Sequence, residues 1–149
     1  MNAKTDLKEI INKLLKSQKL AVLATKGKVY PYNTLVGYAF TDDLKLILFA
    51  TMMHTRKYEN IKNNPYVSFL IDSRKNYTSD FKNAVALTIT GKAVTIKKVL
   101  KKKYKKLYLK RFPHLGDFIS DPDTSIVAIK VDRYIFVQNF REVLELKMK

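Results

Sequence analysis

The sequence predicts an α+β protein: an antiparallel β-barrel of six or seven strands with flanking helices. Three observations carry this. The chain opens on a run with one apolar stripe at helical spacing. Short apolar or alternating segments follow, most of them joined by connections too short for parallel pairing, which needs crossovers of about a dozen residues or more. Strands in that number remove their exposed edges by closing into a small barrel.

The first helix is expected over Asp6 to Lys19, where Leu7, Ile10, Ile11, Leu14 and Leu15 form one stripe and Asp6 with Glu9 resembles a capping box. Leu20 to Thr25 reads as a strand, and Lys26-Gly27-Lys28 as a tight turn. Val29 to Phe40 is extended, with Pro31 near its start. Thr41-Asp42-Asp43 turns the chain into an apolar strand, Leu44 to Ala50. A short helix follows, N-capped by Thr55 and closed by Pro65, and then a fourth strand, Tyr66 to Ile71. Asp72 to Asn83 is polar and reads as a loop, and Ala84 to Ile96 as a long fifth strand in which Gly91 marks a bulge or a close backbone approach. Lys97 to Phe112 is helical, with Leu100, Tyr104, Leu107 and Tyr108 on one face, and Pro113 ends it. Ser125 to Val131 and Tyr134 to Val137 are the closing strands, hinged at Asp132-Arg133. No repeat or linker divides the chain, so residues 1–149 read as one domain.

Composition narrows the function classes. The chain has no cysteine, which excludes disulfides, thiolate metal sites and cysteine nucleophiles and favours the cytoplasm. No signal peptide is visible, and no apolar run approaches the roughly 20 residues that span a bilayer, so a soluble intracellular protein is expected. The net charge of +16 is uneven: nine of the 29 basic residues lie between Lys97 and Arg111, leaving 20 basic against 13 acidic residues elsewhere. There is no Walker motif or Gly-rich dinucleotide fingerprint. With His54 and His114 the only histidines, no transition-metal site is expected.

The stretch Thr51 to Pro65 carries the chemistry. A strand hands over to a short helix whose start holds His54, Thr55, Arg56 and Lys57. Unpaired backbone N–H groups, a hydroxyl and two cations at a helix start suit a phosphate. A solvated basic surface helix gives the same pattern, and local chemistry leaves both readings open.

Five motifs then occur in order: Pro31-Tyr32-Asn33-Thr34-Leu35, Phe49-Ala50-Thr51, Thr55-Arg56-Lys57, Asn63-Asn64-Pro65-Tyr66-Val67-Ser68 and Thr90-Gly91-Lys92-Ala93. Together they resemble the pyridoxamine 5′-phosphate oxidase-like, FMN-binding split-barrel family, and within it the small flavoredoxin or FMN-binding-protein type. The resemblance implies a six-stranded antiparallel Greek-key split barrel, a homodimer, and FMN in clefts at the dimer interface. Carried onto this chain, it implies phosphate contacts from Ala50, Thr51, Thr55, Arg56 and Lys57 and a flavin-lining segment of Asn33, Thr34, Leu35 and Val36. Ser73, Arg74 and Lys75 resemble a Ser-Arg-Lys stretch of the small FMN-binding proteins. Departures speak against vitamin B6 chemistry: the second-strand arginine of true oxidases falls at Asn33 or Thr34, and a fifth-strand glutamine at Ala86. The C-terminal arginine and histidine pattern is not evident.

The expected function is therefore an FMN flavoprotein, an oxidoreductase or an electron carrier, serving a small molecule or a redox protein. Several alternatives are carried forward. The basic segment Lys97 to Arg111 would suit nucleic acid, although its tyrosines share the apolar stripe. The barrel would also suit deazaflavin or haem, both used by relatives, or a scaffold without a cofactor. His54 would be a proton donor or a plain surface residue. Met52 and Met53 would touch the flavin or pack the core.

Overall fold

Leu7, Ile11, Leu14 and Leu15 form the buried face of α1 (Ala3–Ser17) in the computed structural model, which describes residues 2–149. The helix starts earlier than the capping-box reading placed it. Asn2, not Asp6, is the N-cap, and its side chain accepts the Thr5 N–H at 2.8 Å.

The strands follow as β1 (Leu20–Lys26), β2 (Pro31–Phe40), β3 (Leu46–Met52), β4 (Tyr66–Asp72), β5 (Ala86–Val94), β6 (Thr124–Gln138) and β7 (Glu142–Lys147). All pair antiparallel in the order β3-β2-β1-β4-β5-β6-β7, and a further β3–β6 pairing closes the first six into a barrel. The expected barrel is thus present, with β7 added outside it on β6. The helices between strands are α2 (Arg56–Asn63), α3 (Asp80–Asn83), α4 (Lys98–Arg111) and α5 (Gly116–Ser120). Among the described residues, no helix is long and apolar enough to cross a membrane.

Three sequence readings are corrected. The stretch Asp72 to Asn83 is not all loop, because α3 forms within it. The two closing strands are one strand, β6, and the hinge at Asp132-Arg133 is a bulge: Thr90 pairs Arg133 while Gly91 pairs Val131, so Asp132 has no opposite number. A Cβ on Gly91 would lie 2.6 Å from the Lys130 carbonyl oxygen and 2.7 Å from Ile129 Cγ2. Side chains are therefore excluded where the strands close up beside the bulge. Lastly, β7 extends the sheet where the sequence reading assigned no strand.

Strand alternation sorts residues between two cores. Inside the barrel, Leu23, Tyr38, Phe49, Phe69, Leu87 and Ile129 pack with the α1 stripe at one end and Ile61 of α2 at the other. The outer face of β2, β3 and β6 offers small residues, Ala39, Ala50 and Ala128, on which Tyr104, Tyr108 and Phe112 of the α4 segment lie. Strand β3 is buried on both faces, which is why it reads as an unbroken apolar run. Arg111 ties the two cores together. Its guanidinium donates to the carbonyls of Leu15 and Gln18 at the end of α1 and stacks over the rings of Tyr38, Phe40 and Phe112.

Candidate functional site

Strands β2 and β3 pair over only three positions, Tyr38↔Phe49, Ala39↔Leu48 and Phe40↔Ile47, yet β2 begins at Pro31 and β3 runs on to Met52. Beyond Tyr38 the barrel is split. The Tyr38 amide donates to the Lys19 carbonyl on the β1 side, so by antiparallel alternation the backbone groups of Asn33, Leu35 and Gly37 face the gap. At Gly37 the gap is plugged. The Tyr108 hydroxyl donates to the Gly37 carbonyl at 3.1 Å. Burial pushes this phenol up to about 12, and the Ala50 backbone across the gap offsets part of the shift. From Leu35 to Asn33, the β2 edge is free of this plug.

Beside the free edge, β3 delivers Thr51 to the barrel mouth and the chain turns through Met53 and His54 into α2. Thr55 occupies the N-cap position as expected, but its side chain makes no cap bond. Its hydroxyl donates instead to the Met52 carbonyl at 2.8 Å and lies 3.0 Å from the Thr51 hydroxyl. The first-turn amides of α2 are left open, the arrangement that favours an anion. The Arg56 guanidinium sits 5.3 Å from the ring centroid of Tyr32, which fixes the start of α2 against β2. Lys57 is half-buried, and burial lowers its pKa. No carboxylate compensates it: the ion pairs among the described residues are Arg74–Asp72 and Arg133–Glu145.

The structure brings some of the expected residues together and separates others. Thr51, Thr55, Arg56 and Lys57 form one cluster at the barrel mouth. Asn33 and Leu35 face outward next to it, and Leu35 is 65% exposed. Thr34 points inward, half-buried, opposite Leu23. Val36 is a core residue opposite Ala21, so its side chain does not line the gap as the carry-over implied. Ala50 likewise lies under α4, where its small side chain makes room for Tyr108 and Tyr104. Ser73, Arg74 and Lys75 follow the far end of β4, whose other end adjoins α2. There the Ser73 hydroxyl accepts the Val85 N–H, Arg74 pairs Asp72, and the Lys75 N–H donates to the Asp80 carboxylate. Within one protomer this loop is a strand length away from Arg56 and Lys57. His54 is exposed in the turn.

Tyr32 and Tyr108 were not singled out for the site from sequence. Alternation with Thr34 placed Tyr32 at the barrel mouth, and that signal was available. Nothing local marks Tyr108 as the plug, because its partner, the Gly37 carbonyl, is 71 residues away.

A family model described as pyridoxamine 5′-phosphate oxidase matches residues 7–138. Among solved structures, the chain is similar to a heme binding protein from Mycobacterium smegmatis (TM-score 0.81, 15% identity), covering 99% of this chain and 58% of that one. It is also similar to the General Stress Protein 26 from Bacillus anthracis (TM-score 0.70, 23% identity, 95% and 98% covered). A FAD-binding protein from Mesorhizobium loti gives a TM-score of 0.67 at 16% identity, with 86% and 90% covered. At these identities the structural likeness concerns the fold. Among curated protein sequences, none matches.

Proposed function

The chain belongs to the pyridoxamine 5′-phosphate oxidase family, and from that premise we propose that it is a cytoplasmic flavoprotein that holds FMN at the split of its barrel. One observation carries the reading: a half-buried lysine without a carboxylate and an arginine at an uncapped helix start stand beside an unpaired strand edge. FMN has complementary parts. Its phosphate suits Arg56, Lys57, Thr55 and the open amides of α2, where charge-assisted bonds are the strong ones. The isoalloxazine ring suits the outward face at Leu35, its polar edge meeting backbone groups of Asn33 and Leu35. Thr51 orients the Thr55 hydroxyl, and Thr34, Val36 and Ala50 shape the site from behind.

The reading includes a homodimer. Leu35, Val22 and Leu70 stand side by side on the outer face of β2, β1 and β4, and no helix covers them: Leu35 is 65% and Leu70 39% exposed, and neighbouring Leu20 58%. A second copy on this face would cover the ring, and its Ser73-Arg74-Lys75 loop could reach the site that this protomer's own loop cannot. The bound flavin would supply hydride or electron transfer, and the chain's part is to hold it and keep water from one face. Asn33, Thr34 and Ala86, in place of arginine and glutamine, point to a substrate other than a B6 vitamer, either a small molecule or a redox protein.

The test is reconstitution with FMN. Arg56→Ala together with Lys57→Ala should weaken FMN binding about a hundredfold or more, since each charged hydrogen bond contributes about 1.5–3 kcal/mol, while the dimer persists on size exclusion. If the double variant binds FMN as tightly as the parent, the assignment falls.

Haem is the second reading, favoured by the likeness to the M. smegmatis heme binding protein. The same cations would hold propionates, and His54 is the histidine nearest the site in sequence. A Soret band on haem titration, lost with His54→Ala, together with no saturable FMN binding, would select it.

A further inference from the structure

A cavity of about 430 Å³ lies between α2 and α4, at the end of the barrel where β5 finishes and β6 begins. Lys62 of α2 and Lys101 and Lys105 of α4 stand at its rim, and none of the three is in an ion pair among the described residues. Thr95, Thr124 and Ser125 line the same cavity; the Thr124 hydroxyl donates to Met52 Sδ at 3.2 Å. Neither Thr95 nor Ser125 bonds to another side chain there; Ser125 reaches only the neighbouring Ile126 carbonyl, at 3.4 Å. The floor is apolar, with Ile96, Ile126 and Pro65, and Tyr58 forms an aromatic wall. Lys62 Nζ sits 5.9 Å from the Tyr58 ring centroid, so cation and ring present one continuous surface.

This arrangement has two chemical halves. Three cations with hydroxyls suit a phosphate group, which takes both charge-assisted and neutral hydrogen bonds. The apolar floor and the tyrosine wall suit a flat, weakly polar ring. The volume falls within the range of small-molecule pockets, about 300–1,000 Å³. We propose that this cavity is a second ligand site that binds a phosphorylated, mononucleotide-sized aromatic compound, separate from the site at the barrel split.

Two observations separate this from a general attraction of polyanions to α4. The lysines at the cavity come from two elements, α2 and α4, and converge on a concavity. Lys103 and Lys106, equally exposed on α4, do not line it. A polymer lying along the helix would use all of them alike. None of its lining residues belongs to the cluster at the barrel split, so the two sites can be tested separately.

ADP is a suitable probe, titrated calorimetrically at physiological salt. One ADP should bind per chain, saturably, and adenosine should bind at least about tenfold more weakly, the loss expected when a paired phosphate is removed. Lys101→Glu with Lys105→Glu should weaken ADP by about tenfold or more. Lys103→Glu with Lys106→Glu, an identical change of charge, should alter it by about twofold or less. Protein saturated with FMN should bind ADP within about twofold of the free protein. The proposal is overturned if ADP shows no saturable binding, if both lysine pairs weaken it equally, or if FMN displaces it.

Discussion

Replacing Tyr108 with phenylalanine removes one oxygen and leaves two strands facing each other without it. The hydroxyl donates to the Gly37 carbonyl at 3.1 Å, at the first position where β2 and β3 no longer pair. The Tyr108 side chain is 2% exposed, so water does not readily replace it. The Phe112 ring, which would lie 3.2 Å from a Cβ on Gly37, crowds the same place. A buried polar group left without a partner costs about 1–3 kcal/mol. For a chain of this size each kcal/mol moves the midpoint of thermal unfolding by about 2–4 °C, so Tyr108→Phe should lower it by roughly 2–12 °C. Tyr104→Phe is the internal control: the ring packs in the same cluster, but the hydroxyl makes no such bond, and the change should fall within about 0.5 kcal/mol. Denaturant unfolding of the three proteins gives both numbers. If Tyr108→Phe is as stable as Tyr104→Phe, the hydroxyl does not hold the split and the geometry of the gap has another cause.

Two further outcomes follow from packing and titration. Gly91→Ala puts a methyl 2.6 Å from the Lys130 carbonyl oxygen and should destabilise the fold by about 1–3 kcal/mol or more; an unfolding midpoint equal to the parent's would remove the close approach as the reason for glycine. Burial pushes the phenols of Tyr38 and Tyr108 up to about 12 and that of Tyr134 higher still. A folded-state pKa above the unfolded value of about 10 gives stability that is complete below pH ~10 and is lost as pH rises through about 12. Phenolate absorbance should therefore rise in more than one stage, with Tyr38, Tyr108 and Tyr134 ionising only as the fold cooperatively unfolds. A single step for all nine tyrosines would contradict the burial argument.

Local rules carried the reading of the fold a long way. The α1 stripe, the alternating strands, the Gly91 irregularity and the helix start at Thr55 depend on residues a few positions apart, and all are in the structure, except that Ile10 of the stripe is exposed. What sequence could not supply depends on register. The split exists because β2 and β3 stop pairing after Tyr38, a property of two strands together and of the tyrosine that comes between them from α4. The orientation of Val36 was within reach, since it alternates with Leu35 and Gly37. That of Ala50 was not, because β3 is apolar on both faces and gives no phase. Ser73-Arg74-Lys75 looked local to the site by motif, yet β4 carries it to the other end of the barrel. The β7 edge strand escaped because Glu142 to Lys147 mixes charge with only three apolar residues.

The β3–β6 seam has a consequence for how copies of the chain meet. Closure leaves unpaired only the short Asn33–Leu35 edge of β2 at the split and the outer edge of β7, and β7 carries Glu142, Glu145 and Lys147 along its length, charges that discourage strand addition. Association is thereby steered away from ladder extension and toward the leucine-bearing outer wall, where affinity would come from side-chain fit. A pair formed that way should tolerate salt and yield to a single bulky or charged replacement at Leu35.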